Sequence, residues 1–111
     1  MSQSPEQQAA ENAKAAMRNI RNDVARLFYV WDPLALRGLR DWQKNYDEFI
    51  GPVAVQVKKR VPLLDIVMHL ERLVTIEWGL PADRRKIREI AEKMHRAGSF
   101  LDAPPGGGVT G

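Results

Sequence analysis

Two histidines have the most obvious capacity for chemistry in this 111-residue sequence. His69 follows Asp65 by four residues, and on a helix this spacing places both side chains on one face, where a carboxylate can orient an imidazole. A catalytic pair would also need a nucleophile, and a metal site would need a third ligand. The serines all lie near chain ends or predicted helix caps, and His95 lies on another segment. Structural or solvated histidines are therefore favoured, and an enzyme that uses Asp65 and His69 is the weakest hypothesis.

Other residue types that perform chemistry are missing or incomplete. The sequence has no cysteine, which excludes disulfides, thiolate metal sites and a cysteine nucleophile. The closest carboxylates, Asp47 with Glu48 and Glu89 with Glu92, lack the Glu-x-x-His pattern of di-metal helical bundles and are typical of solvated faces. The glycines at 106–108 precede no predicted helix, so they do not form a phosphate-binding loop. We predict no catalytic residue, no cofactor and no metal.

Basic side chains form three groups that would bind phosphates if the fold brought them together. One group follows the first predicted helix, one ends the second and one opens the fourth: Arg37 and Arg40; Lys58, Lys59 and Arg60; and Arg84, Arg85, Lys86 and Arg88. Acidic residues interleave with the last group, and cations at a helix N-terminus oppose the helix dipole. The net charge of +3 is also modest. Nucleic-acid binding through Lys58–Arg60 and Arg84–Arg88 is therefore the alternative function.

The three tryptophans are the other candidates for a binding role. Trp31 and Trp78 end apolar stripes, and packing in the core explains them. Trp42 begins a stripe but has polar neighbours, so we expect it to be partly exposed and to anchor a partner protein. The predicted partner-binding residues are Trp42, Arg40, Lys58, Lys59, Arg60, Arg84, Arg85 and Arg88.

All of these side chains depend on helices, because apolar residues recur at three- and four-residue spacing. The first segment is predicted to run from Pro5 to about Tyr29, with Ser4 as its N-cap. Its apolar seam follows the a and d positions of a coiled coil: Ala10, Ala13, Met17, Ile20, Val24, Leu27 and Trp31. We expect the C-terminal half to pack in the core. The alanine-rich half is expected to project beyond the bundle or to meet a second copy, with fraying of the first turns as the alternative.

The residues after Trp31 must turn the chain. Pro33 biases Asp32 away from the α region, so the first helix ends there. We expect Asp32 to cap a short extra helical turn over residues 33–37, with Gly38 as its stop.

The second segment carries apolar residues on helical spacing from Trp42 to Val57. Asn45 with Glu48 forms a predicted capping box, and Asp41 is an alternative, earlier cap. Pro52 predicts a kink or a break, since it lacks an amide hydrogen. The period-two alternation of residues 53–57 would suit a strand, but a lone strand without a neighbour is disfavoured.

The third segment is predicted to begin near Pro62 and to end at Gly79, and its wide apolar face indicates the central helix of the core. The fourth is predicted from Pro81 to Gly98, with a narrow apolar stripe and a ladder of opposite charges four residues apart. Residues 1–101 are thus predicted to form one domain. Residues 102–111 are predicted to be a flexible Pro/Gly tail, with its start pinned by Phe100 and Leu101.

Composition agrees with this organisation. Apolar residues make up 44% and charged residues 28% of the chain, which is ordinary for a globular protein. No apolar run approaches the length that crosses a bilayer, and the N-terminus lacks the apolar core of a secretion signal. We therefore expect an all-α, cytoplasmic protein: an irregular four-helix bundle with a short extra helical turn after Trp31 and a flexible C-terminal tail.

Three short motifs are similar to the YugE-like family of small bacterial proteins of unknown function. They are Trp31-Asp32-Pro33-Leu34, Tyr46-Asp47 at the start of a helix, and Glu77-Trp78-Gly79-Leu80 at the end of an apolar helix. The resemblance covers roughly residues 15–80 and departs from the family pattern at Gly51-Pro52. It implies a compact helical bundle and a bacterial, cytoplasmic origin, and it implies no activity.

The leading functional prediction is a non-enzymatic protein-interaction module. It would pair with a second copy, as a homodimer, or serve as an accessory or immunity-type partner of a larger protein. The grounds are the long a/d seam of the first segment and aromatic residues beyond those that the core requires.

Overall fold

Four α-helices dominate the computed structural model, which describes residues 5–97. They are α1 (Pro5–Trp31), α2 (Asp47–Lys58), α3 (Leu63–Arg72) and α4 (Arg84–Ala97). A 3₁₀ helix, Trp42–Tyr46, leads into α2, and a π-helical segment, Leu73–Glu77, continues α3. Residues 5–97 contain no strand, and the predicted all-α bundle is confirmed. None of the helices in this range has the length and apolar character needed to span a bilayer.

The core forms where the four helices meet. α1 packs along α2 and α4, and α3 packs mainly against α4. On α1 the buried residues are Ile20, Val24 and Phe28, four residues apart, so one stripe of the helix faces the interior. The other helices contribute Ile50, Val53, Ala54, Val57, Ile66, Leu70, Val74, Ile87, Ile90, Ala91 and Met94. Within the described range no polar or charged residue is buried.

The N-terminal part of α1 extends beyond this core. Residues 5–15 are all exposed, and Ile20 is the first fully buried residue of the helix. The exposed part contains Ala10 and Ala13, the first two residues of the predicted seam. The predicted projection of the alanine-rich half is confirmed.

α2 runs through Gly51 and Pro52 without a break, although the sequence predicts a kink or break there. Pro52 is exposed, and the carbonyl that loses its partner belongs to Glu48, an exposed residue of the first turn. Water can therefore satisfy that carbonyl, which reduces the cost of the missing hydrogen bond. Residues 53–57 are helical, as predicted.

Two predicted helix starts are wrong. The Asn45–Glu48 capping box does not form, because the Asn45 amide donates to the Trp42 carbonyl oxygen at 3.1 Å inside the 3₁₀ helix. α4 begins at Arg84 rather than at Pro81, because Asp83 accepts the Lys86 N–H at 3.1 Å and so acts as the N-cap.

Other predicted ends agree with the structure or lie outside it. Gly79 has φ 63 and stops the third segment, as expected for a residue without a Cβ. The predicted cap at Ser4, the stop at Gly98, the pinning by Phe100 and Leu101 and the tail over 102–111 lie outside the described residues.

Candidate interaction surfaces

The turn after Trp31 is built around the carboxylate of Asp32. Its Oδ1 accepts the Leu36 N–H at 2.9 Å and the Tyr46 hydroxyl at 2.7 Å, and its Oδ2 accepts the Arg37 N–H at 2.9 Å. The Tyr46 oxygen in turn accepts the Leu34 N–H at 3.0 Å. Because Tyr46 is completely buried, these bonds fix the turn to the core.

The predicted helical turn over residues 33–37 is shorter than expected. The Ala35 N–H donates to the Asp32 carbonyl at 2.9 Å, which closes a single turn. Ala35 then has φ 53, a left-handed conformation that ends any helix before Arg37. Asp32 does cap the turn, as predicted, but it binds the two N–H groups that follow Ala35. Gly38, the predicted stop, has φ 101.

Hydrogen bonds within this turn stabilise the negative charge of the Asp32 carboxylate. Burial acts to raise the pKa of Asp32, but the hydrogen bonds from Tyr46, Leu36 and Arg37 outweigh it and hold the pKa below its ordinary value. Burial and the bond to Asp32 raise the pKa of the Tyr46 phenol. At neutral pH the Asp32 carboxylate therefore accepts a hydrogen bond from the protonated Tyr46 phenol, and this bond stabilises the turn.

Trp42, a predicted partner-binding residue, is half-buried and packs within its own chain. Its ring lies edge-on to Tyr29, with centroids 5.7 Å apart, and to Tyr46 at 6.2 Å. The Arg37 guanidinium lies 5.8 Å from the Trp42 centroid and donates to the Tyr29 carbonyl at 3.0 Å. Trp42 and Arg37 thus close the C-terminus of α1, where cations are favoured. Arg40, the other predicted residue here, is 98% exposed and lies 4.0 Å from Asp41.

Trp31 and Trp78 pack in the same aromatic cluster, joined to Trp42 through Tyr46, and packing is the role expected for them. Their centroids are 6.4 Å apart, and Phe49 meets Trp78 edge-on at 5.1 Å. Both tryptophans remain half-buried, so Trp42 is not distinguished from them by exposure.

The second and third basic groups lie toward opposite ends of α3. Lys58, Lys59 and Arg60 come just before α3 begins at Leu63. Arg84 instead approaches Glu71 at 3.8 Å, and eight residues of helix from Leu63 to Glu71 span roughly 12 Å. Arg84, the first residue of its group, is therefore separated from the Lys58–Arg60 group by most of the length of α3.

Carboxylates accompany most basic residues of α4. Arg85 and Lys86 both approach Glu89, at 4.0 and 3.9 Å, and Arg88 donates to Glu92 at 3.2 Å. Two of the predicted pairs of opposite charges four residues apart are thus present, Arg85 with Glu89 and Arg88 with Glu92. All these pairs are at the surface, where each contributes about 0–1 kcal/mol and exchanges readily with solvent or with a ligand.

His69 binds an amide rather than the carboxylate of Asp65. Its Nδ1 lies 2.6 Å from Gln56 Oε1 on α2, and burial together with the nearby Arg72 lowers the pKa of His69. The imidazole is therefore neutral at pH 7 and acts as a link between α2 and α3. Gln56 was not predicted as the partner of His69, because the helical spacing pointed only to Asp65 on the same helix. The described range contains no cluster of three or more potential metal ligands.

A cavity that the sequence did not predict opens beside the first turn of α4. It has a volume of about 260 Å³ and is lined by Trp31, Pro33, Val74, Leu80, Pro81, Asp83, Lys86 and Ile87. The bond from the Leu80 N–H to the Val74 carbonyl, 2.8 Å, folds the chain after the π-helical segment and forms one wall. We call it the α4 cavity. Its lining comes from three separate stretches of chain, so no local pattern indicates it.

Comparisons of the chain with protein-family models, with curated proteins and with solved structures found no match. The resemblance to the YugE-like family stays a prediction.

Proposed function

We propose that the protein is a non-enzymatic interaction module that pairs with a second copy of itself through the first half of α1. The observation that supports this is the exposed continuation of a buried seam. Ile20 and Val24 are fully buried in the bundle, whereas Ala10 and Ala13, on the same face of the helix, have no core beside them. A cytoplasmic location and a bacterial origin belong to the same proposal and rest on sequence alone.

The exposed half of α1 needs a partner more than the rest of the helix does. Isolated helices shorter than about 12–15 residues are marginal in water, because most helical stability in proteins comes from packing of an apolar face. Residues 5–15 are helical yet exposed. Pairing with a second helix would bury the seam that the single chain leaves in solvent.

Charge on this segment favours an antiparallel pair. Glu6 and Glu11 lie near the N-terminus of α1, and Lys14, Arg18 and Arg21 follow them along the helix. A parallel pair would place like charges side by side, whereas an antiparallel pair places the acidic half of each copy beside the basic half of the other.

An antiparallel pair also matches large side chains to small ones. With Ala13 near the symmetry axis, Met17 of one copy, which also packs against its own core, falls beside Ala10 of the second copy. Alternation of this kind lets the backbones approach and fills the space above each alanine, as in knobs-into-holes packing.

The expected dimer is weak. Two helical segments of this length, with alanine at the centre, bury much less than the roughly 800 Å² per partner of a standard stable interface. We therefore expect a dissociation constant of about 10 µM or higher. Sedimentation equilibrium or light scattering over concentrations from about 1 µM to 1 mM should show a monomer–dimer equilibrium in that range.

Matched variants separate the seam from general effects on α1. Ala13→Glu places a charge at the centre of the proposed contact, and Ala15→Glu places it on the opposite side of the same helix; both residues are exposed in the single chain. We expect the first variant to remain monomeric and the second to dimerise like the wild type. Glu11→Lys should weaken the dimer, and Glu11→Lys with Lys14→Glu and Arg18→Glu should restore it.

A protein that stays monomeric at about 1 mM, or that dimerises equally with Ala13→Glu, would contradict the proposal. In that case an accessory or immunity-type role beside a different protein would be the better interpretation, since the seam would still lack a partner in its own chain.

A further inference from the structure

The α4 cavity reaches the core of the bundle, unlike three other depressions on the described surface. Its lining includes two buried residues, Val74 at 4% exposed and Ile87 at 1%, which form the floor. The other depressions, beside Arg37, His69 and Arg26, have no buried residue in their lining. Ligand sites of helical bundles lie preferentially in apolar cavities between helices, so the α4 cavity is the best candidate for one.

Most of the cavity wall is apolar, and it includes one aromatic ring. Trp31 contributes an indole, which also packs against Phe28 and Trp78, and Pro33 and Pro81 contribute two further rings. The volume of about 260 Å³ exceeds the roughly 150 Å³ that holds benzene in an engineered protein cavity and lies below the roughly 300 Å³ of the smallest drug-sized sites. The cavity therefore suits an aromatic ring with a short substituent.

Two charged residues of opposite sign, Asp83 and Lys86, complete the lining. Asp83 is exposed and the Lys86 side chain is 43% exposed, so both lie at the mouth of the cavity rather than at its floor. Asp83 Oδ1 accepts the Lys86 N–H at 3.1 Å, which holds the two residues together at the start of α4. The mouth therefore carries one carboxylate and one ammonium group above an apolar floor.

Both charged groups keep the capacity to bind a ligand. The hydrogen bond to the Lys86 N–H uses Asp83 Oδ1, and Oδ2 accepts no hydrogen bond from residues 5–97. The Lys86 ammonium lies 3.9 Å from Glu89, which Arg85 also approaches at 4.0 Å. Exposed ion pairs of this length are weak, so exchange of Glu89 for a ligand carboxylate costs Lys86 little.

We infer that the α4 cavity binds a free amino acid with an aromatic side chain. The ring fills the apolar cavity, the ammonium group of the ligand binds the Asp83 carboxylate, and the carboxylate of the ligand binds the Lys86 ammonium. Because the lining carries one charge of each sign, an anion is repelled by Asp83 and a cation by Lys86. A zwitterion satisfies both groups, and its carboxylate is also favoured near a helix N-terminus.

This site lies apart from the proposed dimer contact, so the two proposals fail separately. The cavity is lined by residues from Trp31 to Ile87, whereas the dimer contact involves Ala10 and Ala13. NMR signals at the cavity therefore report on the ligand, and those of the two alanines report on self-association.

The test is an NMR titration of the ¹⁵N-labelled full-length protein with L-phenylalanine at concentrations up to about 20 mM. We expect saturable shifts of the Trp31 indole N–H signal and of the Leu80 and Ile87 amide signals. The expected dissociation constant is about 0.1–1 mM, which is ordinary for a ligand with so few atoms. The amide signals of Ala10 and Ala13 should not respond to the amino acid.

Three analogues separate the parts of the ligand. Phenylpropanoate lacks the ammonium group, phenethylamine lacks the carboxylate, and glycine lacks the aromatic ring. We expect the first two to bind about three- to tenfold more weakly than phenylalanine, and glycine to cause no saturable shift at the cavity. None of the analogues is larger than phenylalanine, so size does not explain this order.

Two variants remove the charges at the mouth one at a time. Asp83→Asn retains the N-cap, because asparagine caps a helix about as well as aspartate, and Lys86→Gln introduces another good helix former. Each should weaken phenylalanine binding about three- to tenfold. Asp83→Asn should not weaken phenylpropanoate binding, and Lys86→Gln should not weaken phenethylamine binding, because each analogue lacks the group that the residue binds.

Lys93→Gln is the matched control. It makes the same substitution as Lys86→Gln on α4, but Lys93 lies outside the lining of the α4 cavity. We expect it to change the affinity for phenylalanine by less than about twofold.

Four results would overturn the inference. Absence of saturable shifts at Trp31, Leu80 and Ile87 would show that the cavity does not bind phenylalanine. Equal affinities for phenylalanine, phenylpropanoate and phenethylamine would remove the role of the charges, and so would an affinity unchanged by Asp83→Asn and Lys86→Gln. Shifts of the same signals that follow protein concentration, and not the ligand, would assign the cavity to a second copy of the chain.

Discussion

The two ends of α1 belong to one helix but are stabilised in opposite ways. At the C-terminal end, Phe28 is fully buried and the following Asp32 is fixed by Tyr46 and by two backbone N–H groups. At the N-terminal end, residues 5–15 are all exposed. The seam has the same spacing throughout, so periodicity alone does not determine which part of a helix is buried; side-chain size and tertiary partners do.

This difference indicates a division of roles along the helix. The C-terminal end supports the fold, since Phe28 is buried in the core and Asp32 binds Tyr46 and two backbone N–H groups of the same chain. At the N-terminal end residues 5–15 are exposed, and in the proposed dimer this end contacts the second copy. Substitutions at the two ends should therefore separate stability from association.

Asp32→Ala is expected to have the largest effect on stability. It removes a charged acceptor of three hydrogen bonds and places alanine at φ 44, a left-handed conformation that alanine disfavours. We expect a loss of about 2–4 kcal/mol in the free energy of unfolding, measured by urea denaturation. Asp32→Asn should cost less, because asparagine tolerates this conformation and keeps one acceptor oxygen. A loss below about 0.5 kcal/mol for Asp32→Ala would show that the turn does not stabilise α1.

Tyr46→Phe should have the next largest effect. It retains the buried ring but removes the hydroxyl that joins Asp32 to the Leu34 N–H. We expect a loss of about 1–2 kcal/mol, since a partly buried N–H and a carboxylate oxygen both lose a partner. The control is Tyr29→Phe, and Tyr29 is also packed against Trp42. If both variants lose the same amount, the hydroxyl of Tyr46 has no special role.

The pH dependence of stability should show a smaller effect from the same turn. The pKa of Asp32 is lower in the folded state than its usual value of 3.8. The folded state therefore binds this proton less readily than the unfolded state, and the stabilisation is complete above that usual value and is lost as pH falls through the folded pKa. We expect the free energy of unfolding, measured with urea from pH 6 down to about pH 2, to fall more steeply for the wild type than for Asp32→Asn below about pH 4. If the free energy of unfolding depends on pH in the same way for both proteins, the lowered pKa of Asp32 is contradicted.

The turn after Trp31 also shows how far sequence patterns reach. The spacing of apolar residues identified all four helices. Pro33 together with Gly38 placed the turn between α1 and the second helical segment. Asp32 was recognised as a cap because capping is local. Its bond to Tyr46 joins residues that are 14 positions apart, and no local rule selects that partner. The same limit applies to Gln56 beside His69.

The candidate sites were predicted less well than the fold. Trp42 was expected to be partly exposed because its sequence neighbours are polar, and it is half-buried, but the contacts of its ring with Tyr29, Arg37 and Tyr46 were not predicted. The α4 cavity was missed since residues between Trp31 and Ile87 form it together. The π-helical segment was missed as well, because its sequence continues the apolar pattern of α3 without a signal for the wider turn.

Removal of residues 1–12 should have the smallest effect on the stability of the monomer. Since residues 5–12 are exposed along their whole length, we expect the free energy of unfolding at low micromolar concentration to change by less than about 0.5 kcal/mol. At concentrations above the dissociation constant of the proposed dimer, the full-length protein should gain stability with concentration and the shortened protein should not, because only the former binds a second copy in its folded state. Comparison of urea midpoints at the two concentrations tests both statements. A loss of several kcal/mol at low concentration would mean that this half of α1 supports the fold, and the contrast between the two ends of the helix would no longer hold.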